Sequence, residues 1–222
     1  MRDLIRQEQF ELEVLDRLNT KKLLSSLAFT EGTMLRLCFG LNRFSADLAF
    51  WEVKGNYDKV FFNKIQDCLA ESCKIEEAVF KPQTFSFQVK SRKPPVNLKI
   101  KIQKQNKKII TANAIAYSKH SNAQVFLKVV SLEEVMQAKI ASFLEKGEIW
   151  ECFDMEFLLK KGIPFKISCQ KLKKITKIID SFTQKDYSNK LAPLLEKEEI
   201  DYYLTANFKI MKFAVKEGLN LP

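Results

Sequence analysis

The hydrophobic period of this chain changes near residue 130, and that change limits the folds open to it. Before it, apolar and polar residues alternate: Phe85, Phe87 and Val89, then Leu98, Ile100 and Ile102. A period of two is the mark of a strand with one buried face. Pro94-Pro95 marks the connection between these two runs, and residues 108–116 and 125–130 read as further strands. From Ser131 onward the period is helical, with expected helices at 131–145, 149–161, 168–182, 189–203 and 205–217. Ser131 and Glu134 fit an S-x-x-E capping box, and Gly162 and Pro164 separate the second helix from the third. The pattern therefore predicts an α+β chain. A mixed β-sheet with flanking helices is expected over 1–130, and a C-terminal helical bundle over 131–222.

The first 75 residues add helices to the sheet half. Phe10, Val14 and Leu18 are four apart, with Leu15 beside them, and form one face of a helix over 3–19. A short helix is expected at 21–28, after which Thr30-Glu31-Gly32-Thr33 interrupts the pattern. Met34, Leu35, Leu37, Cys38 and Phe39 make an apolar helix closed by Gly40. Residues 47–53 read as a strand and 57–73 as a helix.

Composition narrows the function classes. The chain has 222 residues, enough for a substantial core, and its 37 basic and 27 acidic residues give a net charge of +10. Such a balance suits a polyanionic partner, a nucleotide or RNA. The five cysteines, Cys38, Cys68, Cys73, Cys152 and Cys169, contain no C-x-x-C pair, and the single histidine, His120, lies in a polar loop. A zinc site is not expected, and the cysteines read as reduced core fillers of a cytosolic protein. No run of about 18 apolar residues is present to span a membrane. Charge throughout Met1–Arg6 argues against a signal peptide, so a cytoplasmic location is expected. Near the C-terminus, Tyr202, Tyr203, Phe208, Met211 and Phe213 read as bundle core.

The segment 27–53 carries the chemistry. A Gly32-Thr33 turn opens a helix, a polar loop follows, and the next strand begins with Asp47. Helix N-termini present free N–H groups that suit phosphate, and an acid on the adjoining strand can hold Mg²⁺ beside it. The residues T-E-G-T-M-L, followed by R-F-S-A-D-L-A-F, resemble the AbiEii/AbiGii nucleotidyltransferase family, whose pattern runs K-G-G-T-A-L and then R-x-S-x-D-L-D-F. A second likeness lies downstream, where Lys139 sits in a helix and Trp150–Met155 takes the place of an acidic motif opening the next one. The resemblance covers about residues 5–165. It implies a nucleotidyltransferase of toxin–antitoxin or phage-defence type, moving a nucleotide from an NTP to RNA, tRNA or protein with Mg²⁺. Gly32, Thr33, Arg43, Ser45 and Lys139 would bind nucleotide, and Asp47, Glu151 and Asp154 would hold metal. Asp47, Asp154 and Lys139 would form the catalytic set. A cognate antitoxin would be a partner.

The sequence departs from that pattern. Ala49 stands where the second acid of D-x-D belongs, and Glu31 replaces a glycine. Asp47, Ala49 and Trp51 share one strand face, so Glu52, on the other, cannot substitute. The strand 97–103 offers Lys99 and Lys101 where a third acid could have stood. One carboxylate holds Mg²⁺ poorly. A degenerate family member, an inactivating substitution, and a lysine-for-metal replacement each account for this. A catalytically inactive nucleotide- or RNA-binding module, or a structural partner protein using its helical half, are the competing functions.

Residues 81–108 hold nine basic residues and no acid. Lys90, Arg92, Lys93, Lys99, Lys101 and Lys104 form the expected RNA track, its lysines alternating with core positions. Phe85 and Phe87 share a face and read as core. The expectation is a salt-sensitive RNA complex abolished by reversing Lys99, Lys101 and Lys104 to Glu.

Overall fold

The structure is a computed structural model and describes residues 2–220 apart from 54, 56, 93, 94 and 107. The chain divides into two compact units: Met1–Gly40 with Phe44–Ser131, and Leu41–Arg43 with Leu132–Pro222.

The first unit is a mixed seven-stranded sheet with helices. Its strands are β1 (Leu27–Thr30), β2 (Asp47–Glu52), β3 (Cys73–Lys81), β4 (Thr84–Ser91), β5 (Asn97–Gln103), β6 (Thr111–Tyr117) and β7 (Gln124–Val130). Its helices are α1 (Arg2–Thr20), α2 (Glu31–Phe39) and α3 (Lys59–Ala70). The strand order is β3-β4-β5-β2-β1-β7-β6. β2 pairs parallel with β5 and antiparallel with β1, and β1 pairs parallel with β7. Hairpins join β3 to β4, β4 to β5 and β6 to β7.

Register sorts the side chains onto two faces. One face carries Phe85, Phe87, Ile100, Ile102, Leu48, Phe50, Phe29 and Val129, all buried. Phe62 of α3 stacks on Phe87 with ring centroids 4.8 Å apart and meets Phe85 edge-on. Burying each such ring contributes about 1.5–3 kcal/mol, so the alternation read from the sequence is also the main source of cohesion here. Asp58 caps α3, its carboxylate accepting from the Phe61 N–H at 2.7 Å. The opposite face carries Gln88, Lys99, Lys101, Asp47, Ala49, Trp51, Phe126, Lys128, Ile115 and Tyr117.

The second unit is helical: α4 (Leu132–Lys146), α5 (Ile149–Lys160), α6 (Cys169–Ser181), α7 (Lys197–Ala206) and α8 (Lys209–Asn220). Phe143, Leu158, Ile175, Tyr203, Phe208 and Met211 are buried in it. The buried Glu156 carboxylate is satisfied from two sides. The Tyr203 hydroxyl donates to Oε1 at 2.9 Å and the Met211 N–H donates to Oε2 at 2.9 Å. No helix of the described residues is long and apolar enough to cross a membrane.

Several local expectations change. Where a helix was expected at 21–28, a 3₁₀ turn covers Leu23–Ser26 and β1 begins at Leu27. β1 is only four residues long and fully buried, so it offers no alternation to read. The helix expected to reach residue 73 stops at Ala70, and Cys73 opens β3. The helix expected at 189–203 is replaced by a π turn (Asp186–Leu191), a 3₁₀ turn (Ala192–Leu194) and α7. Pro193, lacking an N–H, sits in the break. Phe213 is 64% exposed rather than core, and Cys169 is exposed rather than a core filler.

Candidate functional site

Two polar clusters arise from the residues singled out in the sequence, one in each unit. In the first unit, β1 ends at Thr30 and α2 begins at once, with Gly32 and Thr33 buried in its opening turn. Glu31 occupies the left-handed region at φ 65°, the conformation a glycine adopts without strain. The Thr33 hydroxyl donates to the Asp47 backbone carbonyl at 2.6 Å, tying the start of α2 to the start of β2. Ser45 is half-buried in the loop before β2.

Asp47 is exposed as the first residue of β2. Partial desolvation raises its carboxyl above the ordinary value, while Lys99 and Lys101 pull the other way. Both lysines come from β5, whose register sets Lys99 against Asp47 and Lys101 against Ala49. Thr30 pairs with Ala49 from the other side. The place of the second acid is thus a methyl group between a threonine and a lysine.

A divalent metal does not fit this donor set. Mg²⁺ requires several hard oxygens. Here one carboxylate is available on the face that Asp47 shares with Ala49, and two ammonium-bearing residues occupy the neighbouring register positions. Among the described residues no group of three or more His, Cys, Asp or Glu could hold a metal ion.

Sequence reasoning missed a second polar cluster in this unit. Glu8 pairs with Arg36 and accepts from the Ser118 hydroxyl. Glu11 is fully buried, accepts from Gln7 at 3.3 Å, and keeps Oε2 without a hydrogen-bond partner. Burial pushes its carboxyl well above the ordinary range, and Glu8 and Asp47 add to the rise. The sequence signal was an acid inside the apolar stripe of α1, between Phe10 and Leu12, both buried.

In the second unit, Arg43, Lys139, Glu151 and Asp154 meet in one network. The Arg43 guanidinium forks onto Asp154, Nε to Oδ1 and Nη2 to Oδ2, each at 2.9 Å. The Lys139 ammonium lies 2.8 Å from Asp154 Oδ2 and 2.8 Å from Glu151 Oε2. The Ser142 hydroxyl donates to Glu151 Oε1 at 3.1 Å. Lys139 on α4 and the two acids on α5 belong to consecutive helices, whereas Arg43 arrives on the short 41–43 segment. That segment is stitched to its own unit: Arg43 bridges Leu195, and the Glu196 N–H donates to the Asn42 carbonyl at 3.2 Å.

Burial alone would push the Asp154 carboxyl up, but Arg43 and then Lys139 outweigh it and hold the group below its usual value. Burial alone would lower Lys139, but Asp154 and Glu151 outweigh it and hold the ammonium above its usual value. Two cations and two anions balance, and both Asp154 oxygens are occupied by them.

The expected RNA track does not stay together. Lys90, Lys99 and Lys101 lie on the sheet face that carries Asp47. Arg92 turns to the C-terminal end of α3, donating to the Ala70 and Glu71 carbonyls at 3.4 Å. Lys104 follows the end of β5. Lys93 lies outside the described residues, as do Pro94 and Lys107.

Residues 13–211 match the family model described as nucleotidyl transferase AbiEii toxin, of a type IV toxin–antitoxin system. No curated protein sequence matches the chain. Among solved structures, JHP933 from Helicobacter pylori is similar with a TM-score of 0.51 at 16% identity, over 91% of this chain and 94% of that one. A second H. pylori protein, described as a candidate nucleotidyltransferase, reaches 0.55 at 16% identity, over 94% and 96%. At this identity the likeness is one of fold.

Proposed function

Since this chain belongs to the AbiEii nucleotidyl transferase toxin family, we propose that it binds the phosphates of a nucleotide on the Asp47 face with lysine ammonium groups in the role its family gives to divalent metal. The family chemistry uses an NTP and a divalent ion. The register of Lys99 on Asp47 and of Lys101 on Ala49 carries this reading. The Lys99 and Lys101 ammonium groups would neutralise phosphate oxygens. The N–H groups opening α2, at Gly32 and Thr33, would add the favourable end of a helix dipole. Thr33, bonded to the Asp47 carbonyl, would hold the helix start against the strand. Arg43, Lys139, Glu151 and Asp154 would act as a buried frame, because their charges already neutralise one another.

On this reading, two-metal nucleotidyl transfer is lost together with the second acid. The test is a titration with each labelled NTP, once with EDTA and once with Mg²⁺. Equal affinity in both is expected, and strict Mg²⁺ dependence overturns the proposal. Incubation with NTP, Mg²⁺ and total tRNA, run beside Ala49→Asp, separates the family reaction from binding. Transfer by the unaltered chain contradicts the reading. A cognate antitoxin remains the partner that membership of a toxin–antitoxin family suggests.

A further inference from the structure

The carboxyl end of β2 lies at the opposite end of that strand from Asp47, five residues or roughly 17 Å away. Two adjacent parallel strands, β2 and β5, end there side by side. Their connections then diverge. The chain leaving β2 runs through α3 to β3 at one edge of the sheet, whereas the chain leaving β5 runs to β6 at the other edge. Diverging connections from neighbouring parallel strands open a crevice outside the strand ends, a recurrent place for ligands in open sheets.

Such a crevice is present, with a volume of about 460 Å³, lined by Glu52, Lys104, Gln105, Lys108, Thr111 and Lys128 among others. Three ammonium groups stand against one carboxylate in this lining. The Lys128 ammonium is held at the rim by the Ser25 carbonyl, 3.0 Å away. Lys104 and Lys108 make no ion pair among the described residues. The lining is lysine rather than arginine, so it offers point charges for an anion without the planar fork that selects one geometry.

A second feature adjoins it. On β7, Phe126 is two residues from Lys128 and therefore on the same face. Phe126 is 62% exposed and pairs across the hairpin with Ile115, while Tyr117, 58% exposed, is its diagonal neighbour. Cross-strand diagonals are close enough for aromatic side chains to act together. Two bare rings beside a cluster of ammonium groups match the two requirements for a single-stranded polynucleotide: stacking surfaces for bases and cations for the phosphates between them.

We propose that the crevice at the carboxyl ends of β2 and β5, together with Tyr117 and Phe126, binds a single-stranded polynucleotide. The phosphates sit against Lys104, Lys108 and Lys128, and bases stack on the two rings. The site uses none of the residues assigned to the nucleotide, so it stands or falls separately from that reading.

Fluorescence anisotropy with a labelled oligouridine and a labelled oligothymidine, each about twelve nucleotides long, tests it over a range of KCl concentrations. A blunt duplex of the same length serves as the third probe. The full chain should bind both single strands more tightly than the duplex. The relative affinity for the two decides between RNA and DNA. Lys104→Gln/Lys108→Gln/Lys128→Gln should reduce the slope of log affinity against log salt by about 2, close to 0.7 for each lost phosphate contact. Tyr117→Ala/Phe126→Ala should weaken binding at least about fivefold with the salt slope unchanged. Both rings are exposed, so that variant should keep its fold. Should the lysine variant fail to fold, acetylation of the unaltered chain gives the same answer. Bound oligonucleotide must then protect Lys104, Lys108 and Lys128. Equal binding of the duplex, an unaffected aromatic variant, or absence of lysine protection overturns the proposal.

Discussion

Lys101 lies directly opposite Ala49 across the parallel β2–β5 pair, on the face where Lys99 opposes Asp47. The sheet therefore offers two positive groups where a family D-x-D strand would gather carboxylates. A methyl group can neither coordinate an ion nor repel a phosphate, and the lysines can attract one. Loss of the acid and gain of the cations act in the same direction.

Replacing Lys99 and Lys101 together with alanine should weaken NTP binding in EDTA by at least about a hundredfold, since each of the two charge-assisted contacts is worth about 1.5–3 kcal/mol. Isothermal titration calorimetry checks this, with Lys146→Ala as a control on another unit. Unchanged affinity would place the nucleotide elsewhere.

Glu31→Gly should stabilise the protein. A side chain at φ 65° costs about 1–2 kcal/mol that glycine does not incur. A rise in Tm of about 2–8 °C in a thermal melt is expected. Removing a carboxylate from the start of α2 should also strengthen nucleotide binding, measurable in the same titration.

Asp154→Ala should destabilise by about 3–5 kcal/mol, because the buried Arg43 would lose the carboxylate it forks onto and the buried Lys139 one of its two carboxylates. The pH dependence follows from the directions of the two shifts. Asp154 has a depressed carboxyl, so its contribution is present above the unfolded value near ~3.9 and is lost as pH falls through the folded one. Lys139 is raised, so its contribution is present below the unfolded value near ~10.4 and is lost as pH rises through the folded one. Urea unfolding from pH 2 to pH 11 should show a plateau between these limits. The variant should lack the Asp154 part of the acid limb.

Glu11→Gln should have the opposite pH signature. The Glu11 carboxyl is raised, so the folded state holds its proton longer than the unfolded one and stability declines as pH climbs above the unfolded value near ~4.3. The amide carries no such cost. The variant should gain on the order of 1 kcal/mol at pH 8 and almost nothing at pH 4. Equal effects at both would mean that Glu11 is ionised in the fold.

The strands with one buried face were legible from the sequence because alternation is a direct image of a pleated surface, as at Phe85, Phe87, Leu98 and Ile100. β1 was not, because a short strand buried on both faces has no contrast to display. The fold family was legible from Gly32-Thr33 and Arg43–Asp47, a short stretch with fixed spacing. The partner of Arg43 was not, since it lies 111 residues away and only the folded chain brings Asp154 to it. The lysines beside Asp47 were legible as a face of β5, but the register that pairs them with Asp47 and Ala49 required coordinates. Glu11 falls on the apolar face of α1 by its period, but that its Oε2 is buried without a hydrogen-bond partner required coordinates.

The three residues Leu41–Arg43 belong with the helical unit although the chain on both sides of them belongs with the sheet. This loan has a consequence for biogenesis. Arg43 leaves the ribosome long before Lys139 and Asp154 exist, so the ion network cannot close during synthesis of the sheet half. At about 5–20 residues per second, the wait for residue 154 is on the order of ten seconds. A fragment ending at residue 131 would carry Arg43 without Asp154, and a fragment beginning at 132 would bury Asp154 with one cation instead of two. Cutting the gene at the boundary suggested by the change in hydrophobic period would therefore yield two fragments, neither with its charge network complete.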